Sequence, residues 1–265
     1  MDEPPLLEVK GLNKLYDNGF HAVKDVSFSI KPGLLVGLIG PNGCGKSTMM
    51  KCINRLHTMS SGEILIDGES VMESSHSAIA RKVANVPAEL KVSFGLSVFD
   101  TVMTGRYPYV NSLWWESEED EKIVIDAMER FGVDHFAKRQ LHMLSSGERQ
   151  RVLIAKAYVQ EPRLMLVDEP TSHLDMKYKL EVMEYLQYMV KKDMTIIVAE
   201  HDISLMARYC DLCIIMKKGE LVAIGDPKKV ITSKLIEEVY EVNASVGFDE
   251  DGELYVLPKR YRAKH

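Results

Sequence analysis

The chain has 265 residues, enough for one large domain or two small ones with a sizeable buried core. Its make-up, 46% apolar and 27% charged, is that of a globular protein, and a net charge of −6 speaks against a nucleic-acid binder that lives on phosphate contacts. No apolar run is long enough to span a bilayer, and the most hydrophobic stretch, Leu34 to Gly40, has the length of a buried strand. The acidic start, Met1-Asp2-Glu3-Pro4-Pro5, has no apolar segment of the signal-peptide kind. The expectation is a cytosolic protein, or one held at the inner face of a membrane by a partner.

In chain order, Leu6 to Tyr16 and His21 to Ile30 are β-rich and are parted by the hairpin signal Asp17-Asn18-Gly19. Pro32-Gly33 breaks the chain before the strand Leu34 to Ile39; a glycine-rich loop follows, then a helix from about Lys46. Glu63 to Asp67 reads as another strand, closed by Asp67-Gly68. From about Ser97 to Gln160 apolar residues recur at helical spacing and charges crowd Glu116 to Lys122, which predicts a helical insert. Strands then return at Leu164 to Val167, Thr195 to Ala199, Leu212 to Met216 and Leu221 to Ile224. Leu180, Met183, Leu186 and Met189 or Val190 mark one face of an intervening helix. Strands alternating with helices imply an α/β fold with a mainly parallel sheet and ligands at the carboxyl ends of its strands. An antiparallel β layer comes from the N-terminal half. Of Cys44, Cys52, Cys210 and Cys213, only the last two have Cys-x-x-Cys spacing and nothing completes a zinc site, so all four are expected as reduced core thiols.

Gly40-Pro41-Asn42-Gly43-Cys44-Gly45-Lys46-Ser47, followed by Thr48, fits a phosphate loop between a buried strand and a helix. Its glycines let backbone N–H groups curl round phosphate oxygens where a Cβ would block approach. Lys46 would neutralise the β and γ phosphates, the helix N-terminus would add its positive end, and Ser47 would offer a hydroxyl to Mg²⁺.

Leu164-Met165-Leu166-Val167-Asp168-Glu169-Pro170 sets two acids at the end of a buried strand. Asp168 is the candidate for the Mg²⁺ shell and Glu169 for orienting or deprotonating the attacking water. The plainer alternative is that both acids cap the next helix. His201, after the strand Thr195 to Ala199, can reach the sheet's carboxyl edge and is the candidate contact for a γ-phosphate.

Leu144-Ser145-Ser146-Gly147-Glu148-Arg149-Gln150 resembles the signature motif of ATP-binding cassette ATPases. Ser172-His173-Leu174-Asp175 resembles that family's D-loop, Glu200-His201-Asp202 its switch histidine, and Tyr16 stands where an aromatic stacks on adenine. The likeness runs from about Leu6 to Val256. It implies an ATP hydrolase with a P-loop NTPase core and an inserted helical subdomain. The ATPase domain would span 1–242, with its core at 1–96 and 161–242 and the insert at about 97–160; a hairpin and basic tail would fill 243–265. It also implies a head-to-tail homodimer, with ATP between one phosphate loop and the partner's Ser145, Ser146, Gly147 and Glu148, and attached permease subunits moved by closure. Ser145-x-x-Glu148 reads equally as a plain capping box, and both readings can hold at once.

Two positions depart from the family pattern. Ser146 replaces the first of two signature glycines, which implies weakened γ-phosphate contact. Val86-Pro87-Ala88 replaces Val-Pro-Gln, so Ala88 lacks the amide that touches Mg²⁺ and water, unless Glu89 substitutes. A slower or differently coupled ATPase is expected. Val102-Met103-Thr104-Gly105-Arg106-Tyr107-Pro108-Tyr109, Leu180-Glu181-Val182, and Ile236 to Val242 with a hairpin around Asp251-Gly252 resemble the importers of iron–siderophore, haem and cobalamin type. Those importers take cargo from a substrate-binding protein. Tyr107, Trp114 and Trp115 are either docking aromatics or core. The rival classes are a soluble cassette of the iron–sulfur assembly kind and a slow regulatory cassette. Roughly a hundred residues between Lys46 and Ser145 leave no room for the long coiled coil of a DNA-repair cassette.

Overall fold

In the computed structural model, which describes residues 3–88, 95–109, 117–172 and 174–259, β1 (Leu7–Leu15) and β2 (His21–Ile30) pair antiparallel across the predicted turn. The wholly buried β3 (Leu35–Ile39) runs through the glycine-rich loop into α1 (Lys46–Ile53), and β4 (Ser61–Ile66) and the short β5 (Glu69–Ser70) follow. Next come α2 (His76–Lys82), β6 (Val83–Val86), α3 (Val98–Met103), a 3₁₀ turn at Thr104–Tyr109, α4 (Glu118–Arg130) and α5 (Ser146–Val159). The chain continues with β7 (Leu164–Asp168), α6 (Met176–Val190), β8 (Thr195–Ala199), α7 (Ile203–Tyr209) and β9 (Leu212–Lys217). It closes with β10 (Glu220–Gly225), α8 (Pro227–Val230), α9 (Ser233–Tyr240), β11 (Ala244–Phe248) and β12 (Leu254–Pro258). No helix among the described residues is long and apolar enough to cross a membrane.

Two compact units result, Met1–Glu73 with Thr195–His265, and Ser74–Met194. In the first, an antiparallel sheet runs β2-β1-β4-β5, and β3 pairs in parallel with both β8 and β9 while β10 adds antiparallel to β9. All residues of β3 and β8 are buried, the pattern of strands covered on both faces. The entry to β3 is pegged by two side chains: Thr195 Oγ1 accepts from the Gly33 N–H at 2.9 Å and Asp211 from the Leu35 N–H at 2.8 Å. Cys210 and Cys213 are buried free thiols whose sulfurs fill the space a Cβ on Gly37 would enter, at 3.1 and 3.2 Å. Burial pushes the Cys213 thiol up to about 12, as an inert core thiol requires. The predicted C-terminal hairpin is present as β11 and β12.

In the second unit β6 and β7 pair in parallel. Between Ser97 and Gln160 every helix or strand among the described residues is helical, as the periodicity predicts. Ser97 and Ser117 each open a helix with a full capping box. The face of α6 differs by a step from the one expected: Val182, Met183, Leu186 and Met189 are buried, whereas Leu180 is 36% exposed. Val182 and Met189 are seven residues apart, two turns, and Leu180 falls off that stripe. Tyr107 is 62% exposed and so is not core, while Trp114 and Trp115 lie outside the described residues.

Candidate functional site

The phosphate loop is built in the first unit from backbone contacts that no side chain could share. A Cβ on Gly40 would stand 2.3 Å from the Met216 carbonyl oxygen and 2.6 Å from the Cys44 sulfur. Gly45 has φ +110°, and a Cβ there would meet the Ala22 carbonyl oxygen at 2.3 Å. Both positions therefore demand glycine. The rear of the loop is tied to the β9–β10 turn, since the Gly219 N–H donates to the Cys44 carbonyl at 2.9 Å. Cys44 itself is buried, and burial pushes its thiol up while the Lys46 charge pulls it down.

Lys46 is only 5% exposed, and its ammonium donates to the carbonyls of Gly40 at 2.7 Å and Pro41 at 3.4 Å. A buried ammonium held inside a ring of backbone, beside the start of a helix, is a charge arrangement suited to an anion. The N-cap of α1 is Gly45, which brings no capping side chain to its first turn. Pro41, Asn42 and Gly43 form the rim, with Asn42 and Gly43 exposed. Side-chain-free walls, a buried ammonium and an uncapped helix end together fit a polyphosphate.

Ser47 and Thr48 follow in the first turn of α1. Thr48 Oγ1 lies 3.4 Å from the Tyr16 hydroxyl. The half-buried Tyr16 ring stacks on Phe20 with centroids 6.4 Å apart, meets the edge of His57 at 5.9 Å, and carries the Lys14 ammonium at 5.0 Å. His201 is exposed, with its N–H donating to the buried Glu200 carboxylate at 3.1 Å; Asp202 next to it caps α7.

The second unit carries the acids and the signature. Asp168 ends β7 and Glu169 follows at φ +47°, a left-handed conformation uncommon for a side-chain-bearing residue and typical of functional turns. Ser172 fixes that turn twice: its N–H donates to the Glu169 carbonyl at 3.2 Å and its hydroxyl to Glu169 Oε2 at 3.2 Å. The two acids do not cap the next helix, because Asp175 does, accepting from the Tyr178 N–H at 3.1 Å. His173 is outside the described residues.

Ser145 is the N-cap of α5 in a complete capping box. Glu148 Oε2 accepts from the Ser145 N–H at 2.8 Å and from its hydroxyl at 2.7 Å, and these bonds hold the Glu148 carboxyl below its ordinary range. Ser145 and Ser146 are exposed, whereas Gly147 is buried against Tyr178, whose ring carbon Cγ would lie 3.2 Å from a Cβ at 147. Tyr178 thus joins two motifs that the sequence reading kept apart, since it packs on the signature glycine and its amide is held by Asp175. Ala88 is exposed, two residues past the end of β6; Glu89 lies outside the described residues.

Sequence reasoning missed Glu200 and Tyr178 as structural partners of the motifs. Glu200 is a charged residue 3% exposed, a burial that hydropathy does not reveal. Tyr178 had one available signal, its place three residues after a helix-capping Asp175.

Residues 23–172 match the family described as ABC transporter. The chain is 37% identical over 244 residues to the cobalamin import ATP-binding protein of Halobacterium salinarum, covering 92% of this chain and 61% of that relative. It is 35% identical to the iron(3+)-hydroxamate import ATP-binding protein of Bacillus subtilis, covering 86% and 85% of the two chains. The fold matches a dimeric ATP-binding cassette in a post-hydrolysis state bound to ADP and Pi, with a TM-score of 0.75 at 28% identity over 83% of this chain and 98% of that one. The matched region takes in the phosphate loop, the signature helix and the acid pair, and the chain belongs to the ABC transporter family of ATP-binding proteins.

Proposed function

We propose that the chain is the ATP-binding and hydrolysing subunit of an importer, powering uptake of an iron complex, haem or cobalamin through a separate membrane permease. The observation that carries this reading is the phosphate loop, with the Lys46 ammonium buried between walls that exclude side chains at Gly40 and Gly45. The cobalamin and iron-hydroxamate import relatives support the cargo class.

In this reading the loop from Gly40 to Thr48 wraps the phosphates and Tyr16 stacks on adenine. Ser47 and Asp168 offer the hydroxyl and carboxylate oxygens that suit a hard cation, and Mg²⁺ held there would neutralise charge on the transferred phosphoryl group. Glu169 orients the attacking water and accepts its proton, and Ser172 holds that carboxylate in place. His201 contacts the γ-phosphate. A second copy, arranged head to tail, supplies Ser145, Ser146, Gly147 and Glu148 across the nucleotide, with Asp175 at the same boundary; the dimeric relative supports this assembly. The pair works at the cytoplasmic face of the membrane, bound to permease subunits that a substrate-binding protein feeds. Ala88 carries no amide to reach the site, so turnover is slow or differently coupled.

ATP hydrolysis by the wild type and by Glu169→Gln, each with and without the candidate permease, tests the reading. The wild type is expected to hydrolyse ATP and the variant to lose at least two orders of magnitude in rate. A wild type as inactive as the variant under both conditions refutes it.

A further inference from the structure

The C-terminal helix α9 ends against the phosphate loop, and nothing in the proposed chemistry uses it. Tyr240, its last residue, points a buried hydroxyl at the loop, beside the Cys44 thiol and the Gly40 amide, without reaching hydrogen-bond geometry with any described residue. Burial pushes this phenol's pKa up, with the neighbouring Cys44 adding to it. Two further sets of contacts fix the arrangement. Lys217, at the end of β9, donates to the Glu238 carbonyl and pairs with Glu241 at 3.2 Å, which latches the end of α9 to β9. The same end of β9 supports the loop, through the Met216 carbonyl against Gly40 and the Gly219 amide on the Cys44 carbonyl.

We propose that Tyr240 is a positioning residue of the phosphate loop, through which nucleotide binding is linked to docking of the C-terminal segment Ser233 to Pro258. The inference rests on the reading of this loop as the ATP site. Its physical basis is the hydroxyl's unmet hydrogen-bonding capacity. A polar group buried without a partner is costly, and the backbone N–H set beside this one is that of Gly40, a residue whose carbonyl already accepts from Lys46. Phosphate oxygens compete with that carbonyl for the Lys46 ammonium. Release of the Gly40 carbonyl frees that residue to readjust its φ and ψ, and the N–H of the preceding Ile39–Gly40 peptide then turns onto the Tyr240 oxygen. A bond formed in the nucleotide-bound state alone adds to nucleotide affinity, and by reciprocity nucleotide tightens α9 against the loop.

The test uses the full chain, as wild type, Tyr240→Phe and Lys217→Ala, with ATP and Mg²⁺. Affinity is read by calorimetric titration, the melting midpoint is followed with and without nucleotide, and hydrogen exchange is followed over residues 233–241. Tyr240→Phe is expected to weaken ATP binding by about fivefold to tenfold, the worth of one hydrogen bond. Its melting midpoint without nucleotide should be unchanged or raised, because the substitution removes an unsatisfied group. A residue of purely structural importance would lower that midpoint and leave the nucleotide-induced increment alone. ATP should slow exchange over 233–241 in the wild type, and less so in both variants. Equal ATP affinity in wild type and Tyr240→Phe, or ATP-independent exchange over 233–241 in the wild type, overturns the proposal while leaving the ATP site intact. A wild type that binds no ATP overturns the functional reading as well.

Discussion

Arg106→Lys asks whether the turn Thr104–Tyr109 is held by a planar fork or merely by a positive charge. Arg106 Nε donates to Asp120 Oδ1 at 2.7 Å, and Nη1 donates to the Val159 carbonyl at 2.6 Å and to Glu161 Oε2 at 2.7 Å. The guanidinium also lies 4.3 Å from the Tyr109 ring centroid. Lysine keeps the charge, but its single ammonium cannot span three acceptors and stack as well. The Glu161 side chain is 59% exposed and recovers water, so that bond contributes little; those to Asp120 and Val159 are shielded. Losing one charge-assisted bond or one carbonyl bond, together with the stacking, costs about 2–3 kcal/mol. Arg106→Met takes away the cation and leaves the Asp120 carboxylate to the Ser117 capping box alone, at a cost of about 3 kcal/mol. Urea unfolding followed by far-ultraviolet circular dichroism reads both values. The acid side gives an independent check. Burial alone would raise the Asp120 carboxyl, but the bonds from Arg106 and Ser117 outweigh it and hold the pKa low. A folded value below the unfolded one, about 3.9, means a stabilisation that is complete above that pH and lost as pH falls through the folded value. The stability difference between the parent and Arg106→Met should therefore be fully present above about pH 4 and shrink as pH falls through the folded value of Asp120. An Arg106→Lys variant within about half a kcal/mol of the parent, with an unchanged acid transition, would show that the fork is irrelevant.

Three other substitutions act at the phosphate loop, at the signature helix and at Ala88. Gly45→Ala places a Cβ against the Ala22 carbonyl at a φ of +110°, so ATP binding measured by titration should be lost outright; retained affinity would mean the loop reshapes freely. Gly147→Ala pushes the Tyr178 ring by a few tenths of an ångström and should cost about 1 kcal/mol and slow ATP turnover, with Tyr178→Leu in the same chain restoring part of both. Ala88→Gln should raise turnover or tighten coupling to the permease, and equal rates in both chains would remove the coupling argument.

Most of the strand framework was legible because burial on both faces leaves an unmistakable run, as at Leu35–Ile39 and Thr195–Ala199. The phosphate loop was legible for a different reason, since its glycines answer to backbone contacts with Met216 and Ala22 that no other residue type satisfies. What escaped is what depends on partners remote in sequence. Arg106 was read as part of a Gly-Arg-x-Pro turn, yet its acceptors lie at 120, 159 and 161. Gly105 before it is required because a Cβ there would meet the Lys156 carbonyl oxygen at 2.3 Å. The helix α2 and strand β6 were too short and too mixed in polarity for periodicity to find. On α6, the spacing of Leu180, Met183 and Leu186 puts Leu180 on the inward face, whereas the buried stripe runs through Val182.

The two signature positions that look alike in sequence differ in the fold, and this sets the sign of a final prediction. Gly147 is buried under Tyr178, so its lack of a side chain is a packing requirement. Ser146 opens α5 and is exposed, so a side chain there costs the fold nothing. The Ser145 hydroxyl has one proton, and it is given to Glu148 at 2.7 Å. Any phosphate that faces this helix end must either break the capping box or take its side-chain donor from elsewhere. The Ser146 hydroxyl, one residue on, is the nearest candidate. Replacing a glycine by serine at this position therefore adds a donor where the neighbouring one is engaged, which gives a physical reason for stronger γ-phosphate contact instead of the weaker contact that a missing glycine implies. Ser146→Gly should raise the KM for ATP several-fold, whereas Ser145→Ala should chiefly lower stability by about 1 kcal/mol through loss of the cap. A lower KM in Ser146→Gly would reverse the assignment and return the hydroxyl to the role of an obstacle.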